Sequence, residues 1–378
     1  MQTSSLAVDA ATDHHGHRFL IYMTLGANTL HDFLQKILLQ LLRNGILPVL
    51  ILVASAVCAT TATPKLEAPH AVIKIAGGKQ GIGFDDIGFM PTLDRISIPA
   101  GNTGELVLIN PADGKITGSY RVTEPATGSG HETGTTSAVY GDGYIFASDR
   151  GMPSVAVLDA RNGKTVQYVR LASGPDYIRY LESRHELWVT EPRAQQIQVF
   201  KLKTTPKLEI TLYSDIAVKG GPESLVFDVQ RNRAYTNLWK QNTAVIDLAR
   251  QRQMATWYDG CKGPRGLALD AARGFLFVGC TEGKVQVLDV NHPGRILASA
   301  DAGAGIDIIS YNPNSRHLYV PGARSASMTI FKVSPTGTLH ALAEYRTAEG
   351  AHCATNDLKG KVFVCDPHAG SILEINDH

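Results

Sequence analysis

One phrase recurs seven times along this chain, and it restricts the fold more than any other feature. A charged or glycine turn leads into a short β-rich run, usually with an aromatic residue near its middle. It reads "DRISIPAG", "GDGYIFASD", "RHELWVTE", "RNRAYTNLW", "RGFLFVGC", "RHLYVPG" and "KGKVFVCD". The central positions are Ser97, Phe146, Trp188, Tyr235, Phe277, Tyr319 and Phe363, spaced 42 to 49 residues apart. A second alternating run follows each phrase, as in "SVAVLDARNGK" and "KVQVLDVNHPG". Alternation with a period of two is a strand signal, and Gly, Pro, Asn and Asp mark the turns. No amphipathic helix of useful length is expected after residue 70. Repeats of about forty residues, each giving four short strands, predict an all-β, seven-bladed β-propeller.

The last repeat ends with "SILEIND", one strand short of a full blade. The strand-like "HAVIKIAGG", residues 70–78, precedes the first repeat and has no blade of its own. Placing it on the outside of the seventh blade closes the ring and removes an exposed sheet edge.

These repeats, above all "RHLYVPG" with "MTIFKV" and "GFLFVGCTEGKVQVLDV", resemble the YVTN-type repeat propellers. That group lies in the broad WD40/YVTN repeat-like superfamily that includes the quinoprotein amine dehydrogenase-like folds. The resemblance covers essentially residues 70–378. It is specific for architecture, and such propellers include binding proteins, enzymes and surface proteins, so function has to be argued from the site.

The first 62 residues read differently from residues 63–378. "GILPVLILVASAVCATTA" carries an apolar run of about a dozen residues, with Lys36 and Arg43 before it and small residues after it. That is the layout of a secretory signal, too short to span a bilayer comfortably. Cleavage is expected after Ala59 or Ala62; a lipoprotein site at Cys58 is disfavoured by the bulky Val57. The mature protein is then exported, periplasmic or extracellular, without a membrane span, and is expected to be a monomer. Its net charge of +1 gives no broad field for nucleic acid. Four cysteines remain, and an even count in an oxidising compartment favours disulfides.

Cys353 and Cys365, flanked by His352 and His368, form the donor set of a zinc site. The repeat favours a different reading. Cys353 begins the inner strand of blade seven and Cys365 ends its antiparallel neighbour. Cys261 and Cys280 stand in the same relation in blade five. Two disulfides are expected, Cys261–Cys280 and Cys353–Cys365.

In a propeller the blade-to-blade loops gather at one face. Here they read "GIGFDDI", "GSGHETGTT", "SGPDYI", "GGPESL", "KGPRGL", "GAGIDII" and "EGAHCAT". Aligned, they present Asp85, Asp176, Glu223, Arg265, Asp307 and His352, with His131 and Glu132 from the longer second loop. The turns between second and third strands add Arg150, Glu191, Trp239, Asp366 and His368. The loops predict a polar, mainly acidic ligand site at the channel mouth. Crowded carboxylates need protons or cations. Asp85, Asp176, Glu223 and Asp307 are therefore candidate ligands for a hard divalent cation, calcium or magnesium, and His131 with His352 for a metal or for acid–base work.

The leading expectation is an exported binding or interaction protein whose partner is a small molecule or another protein. The alternative is a metal-dependent lactonase, hydrolase or lyase using the same mouth, by analogy with propellers that bind metals there. An accessory role in quinone or haem chemistry rests on the superfamily alone. The chain has no CxxCH, P-loop or GxSxG motif, which sets aside several enzyme classes.

Overall fold

The computed structural model describes residues 66–127 and 133–377, together with two short strands, Leu6–Asp9 and Leu20–Met23. Those two strands pair antiparallel within a unit spanning Met1–Thr61, and a second unit spans Ala62–His378. The expected signal segment, with Cys58, Ala59 and Ala62, lies outside the described residues.

The second unit is a seven-bladed β-propeller. Each blade is a four-stranded antiparallel sheet. Blade one runs through Gly88–Met90, Arg95–Pro99, Glu105–Ile109 and Ile116–Arg121, from the channel outwards. Blades two to six repeat this order, and their inner strands are Ala138–Gly141, Ile178–Leu181, Pro222–Asp228, Pro264–Asp270 and Ser310–Asn312. Blade seven has Ala354–Asn356 innermost, then Lys361–Asp366 and Ser371–Asn376, with Ala71–Lys74 as its outer strand. Helical structure among the described residues is confined to three single 3-10 turns. None of their helices is long and apolar enough to cross a membrane.

The recurring phrase becomes the second strand of every blade, and its seven central residues are all fully buried. Their packing explains the repeat. Phe146 of blade two stacks on Tyr180 of blade three, with ring centroids 5.9 Å apart. Trp188 of blade three meets the edge of Phe227 of blade four at 5.4 Å, and Phe277 of blade five meets Tyr311 of blade six at 4.9 Å. The second strand of one blade thus packs on the inner strand of the next, and the core is a set of blade-to-blade seams. Aromatic pairs of this kind contribute roughly 0.5–1.5 kcal/mol beyond their burial.

Ring closure is a strand pairing. Ala71 to Lys74 run antiparallel to Glu374 to Ser371. The ladder is extended by His70 N donating to Glu374 O at 2.7 Å, Ile75 N to Gly370 O at 3.0 Å and Ile82 N to Pro367 O at 2.8 Å. Beside it Gly78 and Gly370 approach so closely that a Cβ on Gly78 would stand 2.7 Å from Gly370 O. A side chain there would push the closing strand away.

Both expected cystine bridges are present. Cys261–Cys280 and Cys353–Cys365 have Cα–Cα separations of 5.3 and 5.6 Å, within the ordinary range. His352 Nδ1 lies 4.0 Å from Cys365 Sγ, but the two sulfurs are bonded to each other and make no zinc site in this state.

Mass mapping of non-reduced peptides should return these two pairs and no crossed ones. Deleting residues 66–78 should lower the melting temperature by at least about 10 °C, as loss of several kcal/mol does in a domain of this size. An unchanged midpoint would show the closure to be dispensable.

Candidate ligand site at the channel mouth

Each inner strand is entered from a loop rich in Gly and Pro, which turns the chain sharply. Five of the aligned side chains, Asp85, Asp176, Glu223, Arg265 and Asp307, line one cavity of about 370 Å³. Arg150, Arg193 and Trp239, from turns between second and third strands, line it as well. Asp85 and Asp176 are buried, at 7% and 8% exposure.

Arg150 ties the first two blade-entry loops of the cavity together. Its Nη2 donates to Asp85 Oδ2 at 3.1 Å and also to Asp176 Oδ1, and its Nε donates to Pro175 O at 3.0 Å. On the opposite side, Trp239 Nε1 donates to Glu223 Oε2. The other oxygen of Glu223 is 4.0 Å from Arg265 Nε. Arg265 Nη1 donates to the carbonyl oxygens of Trp239, at 3.1 Å, and Pro264, at 3.0 Å. Trp239 is not packed between blades. It stands at the rim, 43% exposed, with its indole held by Glu223.

Burial dominates the electrostatics of this cavity. Burial pushes Asp176 up to about 7, although Arg150 opposes the shift; Asp85, Asp307 and Asp86 add to it. Burial also holds Glu223 well above the usual carboxylate range, assisted by Asp176 and Asp307, and neither Trp239 nor Arg265 offsets this. Desolvation works against the charge on Arg150, yet Asp176, Asp85 and Glu223 outweigh it and raise its pKa.

Four other candidates lie apart from the cavity lining, among them Asp366 at the end of Lys361–Asp366. Glu191 is fully buried at the end of Glu186–Glu191, and its Oε2 accepts from Gln196 Nε2 at 2.8 Å. Burial pushes it up to about 7, a shift its hydrogen bonds only partly counter. His352 is buried, with Nδ1 2.7 Å from Gly350 O and Nε2 3.0 Å from Phe84 O. It joins blade seven to the loop ahead of blade one. His368 is exposed on the turn after Lys361–Asp366. His131 and Glu132 lie outside the described residues.

Sequence reasoning passed over Asp86 and Arg179. Asp86 Oδ2 accepts from Arg179 Nη1 at 2.5 Å and Oδ1 from Nη2 at 3.0 Å, and Ser137 Oγ donates to Oδ2 at 2.5 Å. The available signal was the second Asp of "GFDDI" and an Arg three residues beyond Asp176.

No protein-family model matches this chain, and no curated protein matches it. Solved structures do. A chain of the "Crystal Structure of Mitotic Checkpoint Complex" superposes with a TM-score of 0.69 at 10% identity, covering 88% of this chain and 98% of that one. "Kuenenia stuttgartiensis Hydrazine Synthase" gives 0.65 at 13% identity, with 82% and 99% covered. The β-propeller domain of Myceliophteria thermophila Cps50 (Swd1) gives 0.63 at 12%, with 82% and 100% covered. Likeness at this identity shows the fold alone, that of a β-propeller.

Asp176 gives the site a measurable signature. Its folded-state pKa of about 7 exceeds the ordinary 3.8, so the folded protein binds this proton more tightly than the unfolded chain does. Its contribution to stability is greatest below about pH 4 and is lost as pH rises to about 7. Asp176→Asn removes that slope. The melting temperature of the wild type should therefore fall relative to this variant between pH 4 and 7, as followed by thermal melts at each pH. A constant difference would contradict the assignment.

Proposed function

We propose that this protein is a binding module whose mouth takes the positively charged group of a small ligand or partner protein. The observation that carries this reading is the state of Asp176. It is paired with Arg150 and still lies at about 7. Arg265 stands 4.0 Å from Glu223, too long for a hydrogen bond. A cavity that holds carboxylates out of water favours an incoming cation. Trp239 presents a half-exposed ring at the rim, a surface on which a cation or an aliphatic chain can rest. Two disulfides fit an oxidising compartment, and export to the periplasm or the outside belongs to the same proposal.

A metal-dependent lactonase, hydrolase or lyase is the second reading, because four carboxylates reach one cavity. Arg150 already spans Asp85 and Asp176, so calcium or magnesium would have to compete with that pairing.

Calorimetric titration with tetramethylammonium, hexyltrimethylammonium, calcium and magnesium separates the two. An organic cation should bind about tenfold more tightly at pH 8 than at pH 6, the change in the ionised fraction of a group titrating near 7. The variant Asp176→Asn/Glu223→Gln should lose this binding and keep its fold. Absence of organic-cation binding at both pH values overturns the leading reading, and stoichiometric calcium or magnesium binding lost in that variant supports the second.

A further inference from the structure

The inner strands line a second cavity of about 240 Å³. Consecutive residues are divided between the two spaces. Asp85, Asp176 and Asp307 line the mouth, and the residues that follow them, Asp86, Tyr177 and Ile308, line the channel. The cavities therefore adjoin, with Tyr177 on the channel side of the throat between them.

Tyr177 is held rigidly. Its N–H donates to Thr190 Oγ1 at 2.8 Å, and its carbonyl accepts from Thr190 N at 2.9 Å. The guanidinium of Arg179 lies 5.0 Å from the centre of its ring, and Asp86 fixes that guanidinium from the other side. The side chain is 2% exposed, and its hydroxyl has no hydrogen-bond partner among the described residues. Leaving such a group unsatisfied costs roughly 1–3 kcal/mol. Burial, and then the carboxylates of Asp307, Asp86, Asp85 and Asp176, hold the phenol well above its ordinary pKa. The hydroxyl is thus neutral and lies within the field of the mouth acids.

We infer that Tyr177 completes the mouth site, its hydroxyl oxygen accepting a hydrogen bond from a protonated primary amine carried on an unbranched chain. This rests on the cation reading of the mouth and adds the chemistry of the cation. An ammonium group has three N–H donors on a compact charge. It can bond the phenol oxygen and the mouth carboxylates together, whereas a quaternary ammonium offers no donor and leaves Tyr177 unsatisfied. The aliphatic chain then leaves the throat along Trp239 at the rim.

The test uses the full chain, n-hexylamine and hexyltrimethylammonium at pH 8, calorimetry, and the variants Tyr177→Phe and Asp176→Asn. Wild type should prefer hexylamine by at least tenfold. Tyr177→Phe should lose that preference, retain hexyltrimethylammonium binding, and melt at or above the wild-type temperature, because no protein hydrogen bond is removed. An undiminished preference in Tyr177→Phe overturns the inference, as does a lowered melting temperature, which would show that the hydroxyl is satisfied within the fold through water. Equal binding of both cations by wild type, lost in Asp176→Asn, overturns the role of Tyr177 and leaves the mouth reading standing. If neither cation binds wild type, the mouth reading itself fails.

Discussion

Everything at the mouth depends on one strand pairing, that of Ala71–Lys74 with Ser371–Asn376. A propeller blade buries its faces only against its neighbours, so an open ring would expose both a seam and a sheet edge. The closing strand has a second consequence. The chain that leaves it runs straight into the loop carrying Asp85 and Asp86. That loop is pinned to blade seven by Ile82 N on Pro367 O and by His352 Nε2 at Phe84 O. Asp85 then meets Arg150 of blade two, and Asp86 meets Arg179 of blade three. The strand that closes the ring thus also positions the acidic side chains that reach the neighbouring blades.

The architecture was legible because a repeat reports on packing many times over. One aromatic in a β-rich run means little, but seven at a near-constant spacing mark one structural position. All seven central residues are buried there, including Ser97, where blade one departs from the aromatic pattern. The shared position of Asp85, Asp176, Glu223, Arg265 and Asp307 was legible for the same reason, since equal places in equal blades converge on the axis. Chemistry that crosses between blades was not. Nothing in "SDRG" says that Arg150 will span two carboxylates from blades one and three. Nor does "GPDYI" say that Tyr177 turns into the channel while its neighbour Asp176 stays in the mouth. His352 occupies the aligned position yet is committed to backbone carbonyls, because a ring with two nitrogens can reach acceptors that a carboxylate cannot use.

The two disulfides bear on the same geometry. Cys280 lies directly opposite Pro264 in the ladder of blade five, and Pro264 precedes Arg265. Cys353 follows His352, and its N–H donates to Cys365 Sγ at 3.1 Å. Both crosslinks therefore sit beside mouth loops rather than at the outer edges of their blades. On the other side of the opening, blades one to three have no crosslink, and Arg150 spans that stretch by its ion pairs with Asp85 and Asp176. A site of this kind is preorganised by covalent bonds on one flank and by charge on the other. The covalent flank is insensitive to pH. The ionic flank contains Asp176, which titrates near neutrality, so protonation there weakens the hold of Arg150 as it removes the charge a cation would seek. Fold stability and affinity for a cation consequently respond to the same proton in opposite directions: as pH rises through about 7 the affinity increases while the stability contributed by protonated Asp176 is lost.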